Sequence, residues 1–230
     1  MWRNKSLKNK ASAILRTLER EFSIPKLSSL CKDPFKTLIR TIISQATADV
    51  NTARAYKELE GRVGITVLSL SKVSREAIEE SLRSAGLYRN KSKVMKELAS
   101  VILERYGGSL DFIYEDSLDE ARRKLLELPG VGPKTADILL LFCARKPTIP
   151  VDTHVNRVSK RLGLVSDRAD YEKVRRALQS LYPPEEYLKV HFLLIYHGRR
   201  YCKARRPLCP SCPVRDKCSY SSKTTFYTPK

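Results

Sequence analysis

The segment Leu128–Asp137 holds the residues most suited to chemistry, because two glycines flank one apolar residue just before a lysine. Gly130 and Gly132 permit positive φ angles and a close approach of the backbone. A turn of this kind leaves N–H groups unpaired at the start of the next helix, where they and the helix dipole favour an anion such as a backbone phosphate. We expect Val131 to pack between the two helices and Lys134 to lie beside the anion. The alternative is a simple helix–helix turn.

A second group of reactive side chains is the compact series Cys202-x6-Cys209-x2-Cys212-x5-Cys218. Its spacing predicts a metal site, but four thiolates suit either tetrahedral zinc or an iron–sulfur cluster, so the spacing leaves both open. In an intracellular chain, cysteines favour metal binding over disulfides. The other two cysteines stand apart. We expect Cys143, in an apolar run, and Cys31 to be small, separate core residues.

The charge balance indicates a polyanionic partner. The chain has 44 Lys and Arg against 25 Asp and Glu, a formal net charge of +19. Such a field attracts nucleic acid or an anionic membrane surface. No stretch approaches the roughly 20 apolar residues needed to span a bilayer, and the basic N-terminus has no apolar region of a secretory signal behind it. Nucleic acid is therefore the favoured partner.

The elements that must position these residues read as helices almost throughout. Asp33-Pro34 is typical of a helix start, and the residues that follow are apolar at helical spacing. A second helix ends at Gly107-Gly108, and Ser117 begins a capping box. No alternation typical of strands appears. The sequence therefore predicts an all-α fold, with a loosely ordered tail after Cys218.

The segment Leu128–Asp137, read as LPGVGPKTAD, resembles the helix-hairpin-helix of the DNA glycosylase superfamily and is most similar to its endonuclease III branch. In that family the lysine after the hairpin is the nucleophile, which assigns this role to Lys134. The segment Val151–His154 resembles the one that carries the catalytic carboxylate, which assigns that role to Asp152. The resemblance places DNA contacts in the hairpin at Gly130, Val131, Gly132 and Thr135.

The chemistry of that family explains the need for this pair. Cleavage of an N-glycosidic bond builds positive charge on the deoxyribose, which a carboxylate stabilises. An amine attacks C1′ only when it is unprotonated, and a lysine in water is almost entirely protonated at neutral pH. We therefore expect the apolar helix and its N-terminus to desolvate Lys134. Asp152 also precedes an apolar helical face, so we expect it to cap that helix as well.

The resemblance extends to the cysteines and to two residues that open the duplex. The segment from His197 to Cys218 resembles the [4Fe–4S] loop of the endonuclease III family, so we expect that cluster rather than zinc. Lys203, Arg205 and Arg206 in this loop are expected to meet phosphates. By resemblance, Gln45 pairs with the orphaned base and Leu87, in a Gly-Leu-Tyr loop, wedges the stack. The alternatives are a helix-capping Gln45 and a core Leu87.

Three departures from the family pattern bear on the choice of lesion. Ala48, followed by Asp49, stands where the family often has aspartate. Pro133 replaces a basic residue before the lysine and removes one N–H group and one charge from the hairpin. Thr41 stands where adenine-specific relatives carry a catalytic glutamate, which argues against that activity.

By this resemblance the fold is a helix-hairpin-helix glycosylase fold of two helical domains with a DNA cleft between them. Residues 26–146 form the six-helix domain containing the hairpin, residues 1–25 with 147–220 form the domain with the cluster, and residues 221–230 are the tail. The implied function is a bifunctional DNA glycosylase and AP lyase for oxidised pyrimidines, monomeric and cytoplasmic, acting on double-stranded DNA. The alternatives are a glycosylase for mismatched or deaminated bases and a non-catalytic DNA-binding module.

Overall fold

The computed structural model describes residues 2–220; the tail predicted for residues 221–230 lies outside the described residues. Across residues 2–220 the regular structure is helical and contains no strand, which confirms the all-α prediction. None of these helices is both long enough and apolar enough to cross a membrane. The α-helices are α1 (Trp2–Glu21), α2 (Pro34–Ser44), α3 (Asp49–Arg62), α4 (Val67–Lys72), α5 (Arg75–Ser81), α6 (Tyr88–Tyr106), α7 (Phe112–Glu115), α8 (Leu118–Leu126), α9 (Pro133–Phe142), α10 (Thr153–Arg161), α11 (Tyr171–Leu181) and α12 (Tyr187–Arg200).

The chain divides into two compact units. We call Ser28–Lys146 the central unit, and Met1–Leu27 together with Pro147–Lys230 the terminal unit. The central unit contains α2 to α9, and the described part of the terminal unit contains α1 and α10 to α12. Single-turn 3-10 helices lie at Leu27–Ser29, Pro184–Glu186, Cys209–Ser211 and Arg215–Lys217.

The core of the central unit forms where the helices turn their apolar faces together. The buried residues of α2 recur at helical spacing, as the sequence predicts: Phe35, Leu38, Ile39, Ile42 and Ile43. They pack with buried residues from α6, α8 and α9 in one cluster. The signals at helix ends are also confirmed. Asp33 caps α2 by accepting from the Lys36 N–H at 3.0 Å, and α6 ends at Gly107 with a φ of 60°.

The terminal unit packs α1 against α11 and α12, and α10 against α12. Ile14, Leu15 and Leu18 of α1 are buried in it. His191 of α12 is also buried, and its Nδ1 lies 2.9 Å from the carbonyl oxygen of Pro150. The contact gives this buried imidazole a hydrogen-bond partner in the core.

The expectation for the two isolated cysteines is wrong. Cys31 and Cys143 form a disulfide within the central unit, with their Cα atoms 5.1 Å apart. Cys31 lies just before α2 and Cys143 caps the C-terminus of α9, so the bond links the start of this unit to its end. Chain packing brings together two thiols separated by 112 positions, and no local pattern reports such a pairing.

Candidate functional site

The hairpin between α8 and α9 packs one glycine closely against a neighbouring side chain and leaves open space around the other. Gly130 has a φ of 74°, and a Cβ atom there would lie 2.3 Å from Cγ1 of Val94. Gly132 is the N-cap of α9, and a Cβ atom there would meet nothing within 4 Å. Val131, between them, is buried in the core as predicted, and its N–H donates to the carbonyl oxygen of Leu128 at 3.1 Å.

The N-terminus of α9 presents backbone donors and Lys134 together. The first turn closes with the Ala136 N–H donating to Gly132 O at 3.0 Å, so the N–H groups of Lys134 and Thr135 precede the helical bonding pattern. The side chain of Thr135 is buried, whereas Lys134 is exposed. The expectation that the apolar helix itself desolvates this lysine is therefore wrong.

A buried ion pair joins the two helices of the hairpin. Asp137, on α9, is fully buried, and its two carboxylate oxygens accept from Nε and Nη2 of Arg122 on α8 at 2.9 and 3.3 Å. Such a bidentate pair fixes geometry as well as charge. The sequence reading missed this contact. Its signal was an aspartate inside an apolar helix, since a buried carboxylate needs a partner.

In the terminal unit, Asp152 is the N-cap of α10. One of its carboxylate oxygens accepts from the Val155 N–H at 2.7 Å, so the predicted capping role is confirmed. The side chain is half-buried. Burial lowers the pKa of the neighbouring His154, although the charge of Asp152 acts in the opposite direction. Cap geometry thus holds this carboxylate at the start of the helix.

Gln45 and Leu87 both lie at exposed positions of the central unit. Gln45 ends α2 as its C-cap, with its side chain exposed. Leu87 is 64% exposed and has a left-handed φ of 59° at the N-cap of α6, which excludes a core role. The two loops touch, because a Cβ atom at Gly86 would lie 3.1 Å from the carbonyl oxygen of Ala46.

The loop of four cysteines is attached to α10 by two arginines one helical turn apart. Arg157 donates from Nε to Cys202 O at 3.0 Å, and Arg161 donates from Nη1 to Lys203 O at 2.7 Å. Arg161 Nη1 also lies 3.5 Å from Cys202 Sγ. Sequence reasoning missed both arginines, since their acceptors are mostly backbone carbonyls far along the chain. Lys203, Arg205 and Arg206 are exposed in this loop.

None of the four cysteines is in a disulfide, and all four are half-buried. Burial, together with the charges of the other three cysteines, raises the pKa of Cys212 to about 11. Nε2 of the buried His197 lies 3.8 Å from Cys212 Sγ, and burial lowers the pKa of this histidine to about 4. Within residues 2–220, no group of three or more His, Cys, Asp or Glu side chains has an arrangement that could hold a metal ion. The chemistry of the donor set nevertheless suits a metal ion or an iron–sulfur cluster bound by four thiolates, because none of the four cysteines is in a disulfide.

Comparison with known proteins assigns the class of protein that this hairpin defines. The model of the "HhH-GPD superfamily base excision DNA repair protein" family matches residues 39–184, more than half of the chain. Endonuclease III of Thermotoga maritima is 39% identical over 188 residues, which cover 82% of this chain and 84% of that protein. Endonuclease III of Sulfolobus acidocaldarius is 34% identical over 203 residues, covering 88% and 89% of the two chains.

A solved structure gives the same assignment. The trapped endonuclease III–DNA covalent intermediate, in an estranged-adenine complex, has a TM-score of 0.83 and 32% identity, covering 95% of this chain and 98% of that one. The chain therefore belongs to the HhH-GPD superfamily of base excision DNA repair proteins and, within it, to the endonuclease III family.

Proposed function

We propose that this protein is a bifunctional DNA glycosylase and AP lyase of base excision repair that removes oxidised pyrimidines. The observation that carries this proposal is the exposed Lys134 at the N-terminus of α9, directly after the hairpin that the endonuclease III family shares. The hairpin N–H groups hold a backbone phosphate of the damaged strand, and this anchors the sugar beside the amine.

In the proposed reaction the amine of Lys134 attacks C1′ as the bond from C1′ to the damaged base breaks, and the base leaves with the electron pair of that bond and takes a proton from water. Asp152 stabilises the positive charge that develops on the sugar and accepts the proton of the attacking amine. The sugar ring opens to a Schiff base. Loss of a C2′ proton then expels the 3′ phosphate by β-elimination, which nicks the strand, and water hydrolyses the Schiff base to release the amine.

Because Lys134 is exposed, the proposed mechanism requires bound DNA to change the surroundings of its amine. Because the chain leaves this side chain in water, the bound duplex must exclude that water before the amine can act as a nucleophile. The damaged base leaves the stack, Leu87 wedges into the gap, and Gln45 pairs with the orphaned base. Both side chains are exposed, as these roles require.

Cys202, Cys209, Cys212 and Cys218 are proposed to hold a [4Fe–4S] cluster. The cluster supplies a rigid anchor for its loop, so that Lys203, Arg205 and Arg206 meet phosphates in fixed positions. Purified protein should be brown and contain iron and acid-labile sulfide in equal amounts. Colourless protein loaded with zinc would contradict the cluster assignment.

The proposed partner is double-stranded DNA that contains a damaged base or an abasic site. We assign the protein to the cytoplasm, at the nucleoid if the source is prokaryotic, and propose that it acts as a monomer. The domain assignment from the sequence, residues 26–146 and residues 1–25 with 147–220, remains part of this proposal.

Borohydride trapping on a panel of duplexes tests the function. The panel contains thymine glycol, uracil, a G·T mismatch and an abasic site. The wild-type protein should form an adduct with the thymine glycol and abasic duplexes. Lys134→Ala should abolish the adduct, whereas Lys57→Ala, which removes another exposed lysine, should retain it. Adduct formation that survives in Lys134→Ala refutes the nucleophile.

Other patterns on the same panel identify the alternatives. Cleavage confined to uracil or G·T duplexes would indicate a glycosylase for deaminated or mismatched bases. Salt-dependent binding without cleavage of any duplex would indicate a non-catalytic DNA-binding module.

A further inference from the structure

Lys91 of α6 is buried at the junction of the two loops that carry Gln45 and Leu87. Its side chain is oriented towards the end of α2, and the residue is only 3% exposed. The ammonium donates to the carbonyl oxygen of Ile43 at 2.9 Å and to Oγ1 of Thr47 at 2.6 Å. The first acceptor lies in the last turn of α2, where a cation is favoured by the helix dipole.

The contact with Thr47 continues to Gln45. The hydroxyl of Thr47 donates to the carbonyl oxygen of Gln45 at 3.1 Å. The ammonium therefore holds the backbone of this loop on both sides of Ala46, which has a left-handed φ of 51°. Such a φ is disfavoured for a residue with a side chain and persists where the surroundings enforce it.

The backbone of the same lysine holds the second loop. The N–H of Lys91 donates to the carbonyl oxygen of Leu87 at 3.0 Å, and this bond begins α6. Gly86, just before Leu87, lies so near the carbonyl oxygen of Ala46 that an added Cβ atom would sit at 3.1 Å. Lys91 is thus bonded to the segments that present both duplex-opening side chains.

Stability alone gives no reason for an ammonium at this position. Both oxygens that accept from Lys91 are neutral, and burial lowers the pKa of this amine. Desolvating a cation against neutral oxygens has a free-energy cost that a methionine of similar length would avoid. The ammonium instead provides directed hydrogen bonds to two successive parts of one exposed loop.

We infer that Lys91 is a positioning residue that sets the spacing between Gln45 and Leu87 for extrusion of the damaged base. This inference rests on the roles proposed above for those two side chains. Loss of the ammonium should slow reactions that require a paired base to leave the stack. Strand cleavage at an abasic site has no base to extrude, so it should depend much less on Lys91.

Lys91→Met and a matched control on the same helix test this inference. Lys96 also donates to two oxygens at the end of a helix, the carbonyls of Ser71 at 3.1 Å and Val73 at 2.6 Å, and neither acceptor belongs to the two loops. Single-turnover excision from a thymine glycol duplex and strand cleavage at an abasic site are measured for both variants. We expect Lys91→Met to slow excision by about 10- to 100-fold, with little change at the abasic site, and Lys96→Met to change neither rate.

Thr47→Val provides a second test that leaves the lysine in place. It removes only the hydroxyl that links Lys91 to Gln45 and should reduce excision in the same selective way, by a smaller factor. Thermal melting of every variant reports its folding. If Lys91→Met fails to fold, Thr47→Val alone decides the inference.

Leu87→Ala separates failure of this inference from failure of the function on which it rests. If Leu87→Ala does not favour abasic over paired substrates, the wedge assignment fails and the inference fails with it. If Leu87→Ala is selective while Lys91→Met and Thr47→Val match the wild type, the positioning role alone is overturned. Equal slowing of both reactions in Lys91→Met also overturns it, because that result indicates a general structural role.

Discussion

At the scale of single residues, the two glycines of the hairpin differ in what surrounds them. Gly130 has a φ of 74° and is packed against Val94, whereas Gly132 has ordinary backbone angles and open space around it. Gly130→Ala should therefore destabilise the protein by about 2–4 kcal/mol, from backbone strain and overpacking together. Gly132→Ala should cost less than about 1 kcal/mol, since alanine is only a poorer N-cap.

Urea unfolding of the two variants measures this difference, and anisotropy with an abasic-analogue duplex measures its effect on DNA binding. Gly130→Ala should weaken binding as well, because the hairpin must shift away from Val94 and its N–H groups move with it. Equal losses of stability in the two variants would contradict the packing argument for Gly130.

At the scale of helices, the Arg122–Asp137 pair fixes α8 against α9 on either side of the hairpin. Removing one member of a buried pair leaves an uncompensated charge, so Asp137→Ala should destabilise the protein by about 3–5 kcal/mol. The double variant Arg122→Met with Asp137→Leu should recover much of that loss, because neither charge is then buried. Chemical denaturation of the wild type, the single variant and the double variant measures the loss and its recovery.

Arg123, the residue after Arg122 on α8, provides a matched control. Arg123 forms exposed ion pairs with Glu120 on α8 and with Glu127 just after it, so Arg123→Ala should change stability by less than about 1 kcal/mol. A loss in Asp137→Ala no larger than that in Arg123→Ala would show that the buried pair does not fix the hairpin.

The sequence predicts those features of the fold that depend on residues close together in the chain. Helix starts and ends such as Asp33 and Gly107 depend on neighbouring residues, so their patterns gave correct bounds. Periodicity likewise identified the buried face of α2, but it says nothing about what a face contacts. The Cys31–Cys143 disulfide, the contacts of Lys91 and the Arg122–Asp137 pair all depend on chain packing, and for that reason the sequence could not show them.

The exposure of the candidate residues also depends on chain packing, so only the structure could show it. The sequence left Leu87 either in the core or at the surface, and its 64% exposure decides for the surface. The expectation of a desolvated Lys134 failed because the apolar residues of α9 follow the lysine rather than surround it. The motif identifies the amine, whereas only packing reports how much water surrounds it.

At the scale of the whole molecule, the net charge of +19 predicts binding that weakens steeply with salt. Two contributions can be separated: a general field from all the cations, and local contacts between particular cations and phosphates. Local contacts release counterions at the interface, and each one steepens the plot of log affinity against log salt concentration by about 0.9. The exposed cations of the cysteine loop are proposed to make contacts of this local kind.

Replacing Lys203, Arg205 and Arg206 together by alanine should therefore reduce that slope by about 2–3. The control replaces three exposed cations at and before α11, namely Arg168, Lys173 and Arg176, which removes the same charge elsewhere in the terminal unit. Titration of a fluorescent abasic-analogue duplex at several salt concentrations gives both slopes. Because both variants lose three charges, the general field weakens by a similar amount in each. A smaller slope in the loop variant alone identifies direct phosphate contacts. Equal slopes in the loop and control variants would show that the loop contributes only through the general field.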